Sequence, residues 1–136
     1  MKKFLFFILL TATILLPNFA ESKRNIEFYT LAQAIANHAN QVQVEGQGVV
    51  MKILRDDTYG DKHQKFIVRT SEGANILIVY NIDIAPRIEN LKRGDSVEFT
   101  GEYIWNDKGG LIHWTHHDPR GHHAAGWIKH KGRTYQ

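Results

Sequence analysis

Between His113 and His130 the chain reads His-Trp-Thr-His-His-Asp-Pro-Arg-Gly-His-His-Ala-Ala-Gly-Trp-Ile-Lys-His, which gathers six of its eight histidines and two of its three tryptophans. Imidazole titrates near neutrality, ligates borderline metals and hydrogen-bonds phosphate, so this density marks a site. If Leu111–His116 is a strand, Ile112, Trp114 and His116 share the core face. His113, Thr115 and His117 then share the other. Along an extended strand, His113 and His117 lie about 13 Å apart, too far to share an ion without a bend. Pro119 ends the strand, and Gly121 frees the backbone so that His122 or His123 can fold back. A cluster of His116, His117, Asp118 and His123 follows. Such a set of imidazoles and one carboxylate suits zinc, manganese or another first-row divalent ion, and an open coordination position would make the ion catalytic. Two other readings stand beside it. The histidines could cap a barrel through loop backbone, with Trp114 and Trp127 as core aromatics, or they could contact an anion or nucleic acid.

Several elements must position this segment. Phe28, Leu31, Ala32 and Ile35 recur at helical spacing between Asn25 and Asn40, with Asn25 as a cap, which predicts a short amphipathic helix and leaves His38 near its C-terminal end. From Val42 the period is two. The apolar set passes from Val42 and Val44 to Val49, Met51 and Ile53, of opposite parity, across Gly46 and Gly48, so a bulge or sharp bend is expected at the glycines. After a polar loop at Arg55–Asp61, Lys62–Thr70 alternates with Phe66 and Val68 inward, Gly73 marks a turn, and Ile76–Ile82 is apolar on both faces. Asp83–Leu91 contains Pro86 and lacks alternation, so it reads as a loop or a single helical turn. Val97, Phe99, Gly101 and Tyr103 alternate against polar neighbours, and Asn106–Gly110 is a hairpin loop before the last strand. Three strands, a short connection and a final hairpin give a mainly β chain: a small five-stranded OB-fold-like barrel with an N-terminal helix and a His-rich C-terminal extension. An SH3-like barrel or a small open sandwich is the alternative.

Ahead of the barrel, Lys2 and Lys3 precede an apolar or small-residue run of thirteen residues, Phe4–Leu16. This predicts a signal peptide over 1–20 cleaved after Ala20, since a membrane span needs about 20 residues. The protein is therefore expected to be exported, periplasmic or secreted, with no stable membrane span after cleavage. The expected organisation is a helical segment over 21–41 and one barrel domain over 42–136. The chain has no cysteine, which excludes a lipoprotein anchor and any disulfide, so stability must come from the core or from a bound ion. Without the leader, 15 basic residues face 14 acidic ones. Net charge thus favours no polyanion, but Arg120, Lys129, Lys131 and Arg133 form a local basic patch in the tail.

The runs Lys62-His63-Gln64-Lys65-Phe66, Asn81-Ile82-Asp83-Ile84-Ala85-Pro86-Arg87-Ile88, Gly101-Glu102-Tyr103 and Gly109–Gln136 resemble a bacterial family catalogued as domain of unknown function 3465. The resemblance extends from about Gly46 to Gln136 and implies a small exported protein. It supplies no function.

Function must therefore be argued from the residues. Asp56, Asp57 and Asp61 lack the alternation of a calcium loop, and Ser22, Ser71 and Ser96 lack a nucleophile-elbow context. OB barrels bind oligonucleotides or oligosaccharides across their second and third strands. Here that face would offer His63, Lys65, Arg69 and Tyr59, with Tyr103 and Trp105 as further stacking platforms. A ligand site of His63, Arg120, Trp105 and His113, taking an oligonucleotide or other phosphate-bearing ligand, is the expectation. A metal-dependent phosphodiesterase or nuclease is one alternative, with Arg120 or His63 stabilising phosphate charge. An envelope structural or interaction protein, its partner unidentified, is the other.

Overall fold

In the computed structural model, the residues described are 28–136. The expected signal peptide over 1–20 and the Asn25 cap lie outside them. The chain enters as β1 (Phe28–Thr30) and passes directly into α1 (Leu31–Ala36). This helix is shorter than the apolar spacing predicts, and its cap is Thr30. The Thr30 hydroxyl accepts from the Gln33 N–H while the Gln33 side chain accepts from the Thr30 N–H, a reciprocal capping box. Leu31 and Ala34 are its buried residues.

β2 (Asn40–Ile53) is one continuous strand of 14 residues. Its parity does not flip at the glycines. Val44 and Val50 are both buried while Val49 is 41% exposed, so even-numbered positions from Val42 to Val50 face inward on both sides of the glycines. Gly46 sits on that inner face, where a Cβ would come within 2.8 Å of both Leu31 and Phe99. The glycine makes room for a neighbouring ring. The irregularity is displaced to Met51, where the register with the next strand slips between Val50 and Lys52.

β3 (His63–Thr70) and β4 (Asn75–Asn81) form an antiparallel hairpin around Gly73, with Phe66, Val68, Ile76, Ile78 and Tyr80 buried inside. The Asp83–Leu91 connection holds no regular element. Its start is ordered by Asn81, whose Oδ1 accepts from the backbone N–H groups of Asp83 and Ile84. β5 (Ser96–Ile104) then runs antiparallel to β2, and β6 (Leu111–His113) returns to pair antiparallel with β5 and parallel with β4. The ring β2–β3–β4–β6–β5–β2 is closed. A five-stranded barrel whose third and fifth strands run parallel across the closure is the OB arrangement the sequence predicts.

The C-terminal segment departs from an appended tail. β7 (Trp127–His130) pairs with β5 beyond the point where β6 leaves it, and β8 (Arg133–Tyr135) pairs with β7. Ile128 is fully buried and Tyr135 is 4% exposed. Buried His130 donates from Nε2 to Asp95 at 2.8 Å and ties this hairpin to the turn before β5.

Candidate ligand pocket

β6 is shorter than Leu111–His116 because Trp114 takes a left-handed backbone conformation, φ 53°. The turn breaks the alternation expected beyond His113. Trp114 is half-buried instead of joining the core, and the next two residues, Thr115 and His116, are both buried at 0% and 4% exposure. The Thr115 hydroxyl donates to the Val79 carbonyl at 2.8 Å and fixes the segment against the end of β4. Gly126 closes the wall behind it: its N–H donates to the His116 carbonyl, and a Cβ there would stand 2.0 Å from the Trp114 carbonyl oxygen.

This turn opens a cavity of about 280 Å³ lined by Asp61, His63, Val79, Asn81, Ile84, His113, Trp114 and His116. The structure thus brings together His63, from the start of β3, with His113 and His116 from the other side of β4. His116 is the most constrained of them. Its Nδ1 lies 2.7 Å from the His117 carbonyl, which can only accept, so Nδ1 carries the proton and the neutral ring presents a bare Nε2. Burial holds this ring's pKa below 6.5, against the opposing effect of that hydrogen bond. The edge of the ring meets Tyr80, with centroids 6.5 Å apart.

His113 is held differently. Its Nε2 donates to Glu102 Oε1 at 3.0 Å, and the other oxygen of Glu102 is 4.0 Å from His123 Nδ1. His123 in turn stacks on Trp114 at 3.8 Å. Glu102, Asp61 and Asn81 are the polar members that sequence reasoning passes over. Glu102 could have been found, because once the Asn106–Gly110 hairpin is drawn it falls opposite His113 in register. Asp61 sits in a loop and carries no comparable signal. It accepts from Asn81 Nδ2 at 3.2 Å.

The expected set of His116, His117, Asp118 and His123 is not assembled. Asp118 is an organiser of its loop: its carboxylate accepts from the backbone N–H groups of Arg120 at 2.8 Å, His122 at 2.5 Å and His123 at 2.6 Å. These bonds, that of Arg120 foremost, hold its pKa below the usual carboxylate range. His117 is exposed. Among the described residues, no three His, Asp or Glu side chains stand together in a way that could hold a metal ion. Two of the four expected ligand residues also fall outside the cavity lining. Arg120 is exposed in the Asp118 loop. Trp105 lies just past the end of β5, beyond Leu111 at the opposite end of β6 from Trp114, where it stacks on His38 at 4.2 Å. The basic patch is also partly engaged: Lys129 lies 3.8 Å from Glu98 and Lys131 3.9 Å from Asp95.

The fold and this site define an OB-type barrel with an imidazole-lined cavity at one end of its third and fifth strands. The chain belongs to the family described as "Protein of unknown function (DUF3465)", which matches residues 8–136. The match includes the N-terminal segment as well as the barrel. Among curated proteins no significant match is found.

Proposed function

We propose that the protein is an exported binding module for single-stranded nucleic acid and that the cavity between β3, β4 and the 113–116 segment receives one base. The observation that carries this reading is the meeting of Trp114, His63, His116 and Asp61 around a single small concavity. Asp61 and Nε2 of His116 are hydrogen-bond acceptors, and the exocyclic amino groups of adenine and cytosine are the donors that match them. Asp61 makes the same cavity a poor home for a bare phosphate. On the outward face of β3, Lys65 follows His63 one strand period later, opposite Val79, and supplies a cation for the adjoining phosphate. Export rests on the basic and apolar leader of residues 1–20.

The test is fluorescence anisotropy at low salt with labelled single-stranded homopolymers of adenine, cytosine and thymine. Adenine and cytosine oligomers should bind better than thymine, and His116→Ala should weaken binding by the ~1–3 kcal/mol that one seated base contributes. Absence of saturable binding to all three would reject the reading.

One observation favours a second reading. The fixed tautomer of His116 leaves Nε2 without a hydrogen-bond partner among the described residues, and His63 and Asp61 share its cavity. Zinc or manganese could draw on these three, but the side chains would have to move to complete a shell. An ion with an open position there would activate water for phosphodiester hydrolysis. A melting temperature that rises by several degrees on adding zinc or manganese, and falls back with EDTA, supports this reading; coincident curves remove it.

A further inference from the structure

A second and larger concavity, of about 940 Å³, lies on the outer face of the barrel between β2, the end of β3, the start of β5 and the β7–β8 hairpin. Its floor is a row of residues in register across four strands: Gln47 opposite Glu98, Glu98 opposite Lys129, and Lys129 opposite Thr134. Val49, 41% exposed, and Met51 add an apolar wall. Three cations line it, Arg69, Lys129 and Lys131, against one lining carboxylate, Glu98. Lys129 already faces Glu98 at 3.8 Å, and Lys131 lies 3.9 Å from Asp95. The Arg69 side chain has no hydrogen-bond or ion-pair partner among the described residues.

From this combination we infer that the groove is a binding site for a single-chain amphiphile with an oxyanionic head, the head against Arg69 and the chain along Val49 and Met51. A guanidinium with no internal partner presents its planar fork to a carboxylate or phosphate. The volume is in the range of organic-ligand pockets, well beyond the needs of a bare inorganic anion. The apolar wall beside the cations is what distinguishes an amphiphile from a fully polar anion. The site shares no lining residue with the imidazole cavity, so it stands or falls independently of nucleic-acid binding.

Isothermal titration of the full protein with monomeric dodecanoate and dodecyl phosphate tests the assignment, with dodecyl maltoside and dodecyltrimethylammonium as head-group controls and acetate and inorganic phosphate as chain controls. One-to-one binding of either or both anionic amphiphiles is expected, and which of the two binds more tightly identifies the head as carboxylate or phosphate. Arg69→Gln, with a melting temperature equal to that of the parent, should weaken that binding at least tenfold, and Val49→Ser should weaken it by thinning the apolar wall without bringing a charge to the guanidinium opposite it. Equal binding of the neutral or cationic amphiphile, equal binding of the chainless anions, no saturable binding, or an unchanged affinity in folded Arg69→Gln would each overturn the inference.

Discussion

His116 is buried, so folding selects its neutral form against the opposing pull of its Nδ1–H bond to a backbone carbonyl. Its pKa is therefore lower in the folded protein than the 6.5 of the free side chain. As pH falls, the unfolded chain takes up this proton first. The stability contributed by the neutral ring is full above about 6.5 and is lost progressively as pH drops below it toward the folded value. Melting temperatures measured from pH 8 to pH 5 should decline less steeply in His116→Gln than in the parent; parallel curves would show that this ring is not the titrating group. Asp118 acts at lower pH and with the same sense. Its folded pKa is depressed, so its contribution is complete above about 4 and disappears as pH falls through the folded value. Asp118→Ala should accelerate amide hydrogen exchange at Arg120, His122 and His123, the three N–H groups it accepts from. Unchanged exchange at all three would mean that the loop is held by something else.

At the scale of elements, the β7–β8 hairpin is the part whose role differs most from expectation. Ile128 is fully buried against the barrel and belongs to the same core as Phe99 and Ile112. Ile128→Ala should cost about 2–5 kcal/mol in chemical denaturation, as removal of a core Ile does; a loss under about 0.5 kcal/mol would return the segment to the status of a tail. Gly126→Ala tests the wall of the cavity, since its Cβ would collide with the carbonyl oxygens of Trp114 and Thr100. It should lower the melting temperature and disturb the Trp114 fluorescence environment. The barrel itself was readable because alternation in the segments around Phe66 and Phe99, with turns at Gly73 and Asn106–Gly110, reports directly which residues face inward. In β2 the even-numbered residues up to Val50 face the core, so Val49 and Met51 are apolar residues on an outer face, where hydrophobicity does not report burial. The cavity was legible only in part. Its histidines stand out by type, whereas the Trp114 turn that aims them depends on a left-handed conformation that no residue type announces at a tryptophan. His38 and Trp105 show the same limit, since a contact between the end of α1 and the end of β5 requires the closed barrel before it can be drawn.

For the whole molecule, closure leaves a cysteine-free domain whose stability rests on one core and on polar ties at its rim, such as His130 to Asp95 and Thr115 to Val79. Among the described residues no helix is long and apolar enough to cross a membrane. The two concavities divide the barrel surface by chemistry. One is small and rich in acceptors and imidazole, and the other is larger, cationic and partly apolar. Seating of a single-stranded base in the small one, as proposed, is tested by a low-salt anisotropy titration with a labelled adenine oligomer, comparing the parent with His116→Gln and Asp61→Asn. Saturable binding by the parent is expected, with a loss of about tenfold or more in each variant, the equivalent of one hydrogen-bonded base contact of ~1.4 kcal/mol. Full affinity in both folded variants, or no binding by the parent, would contradict it.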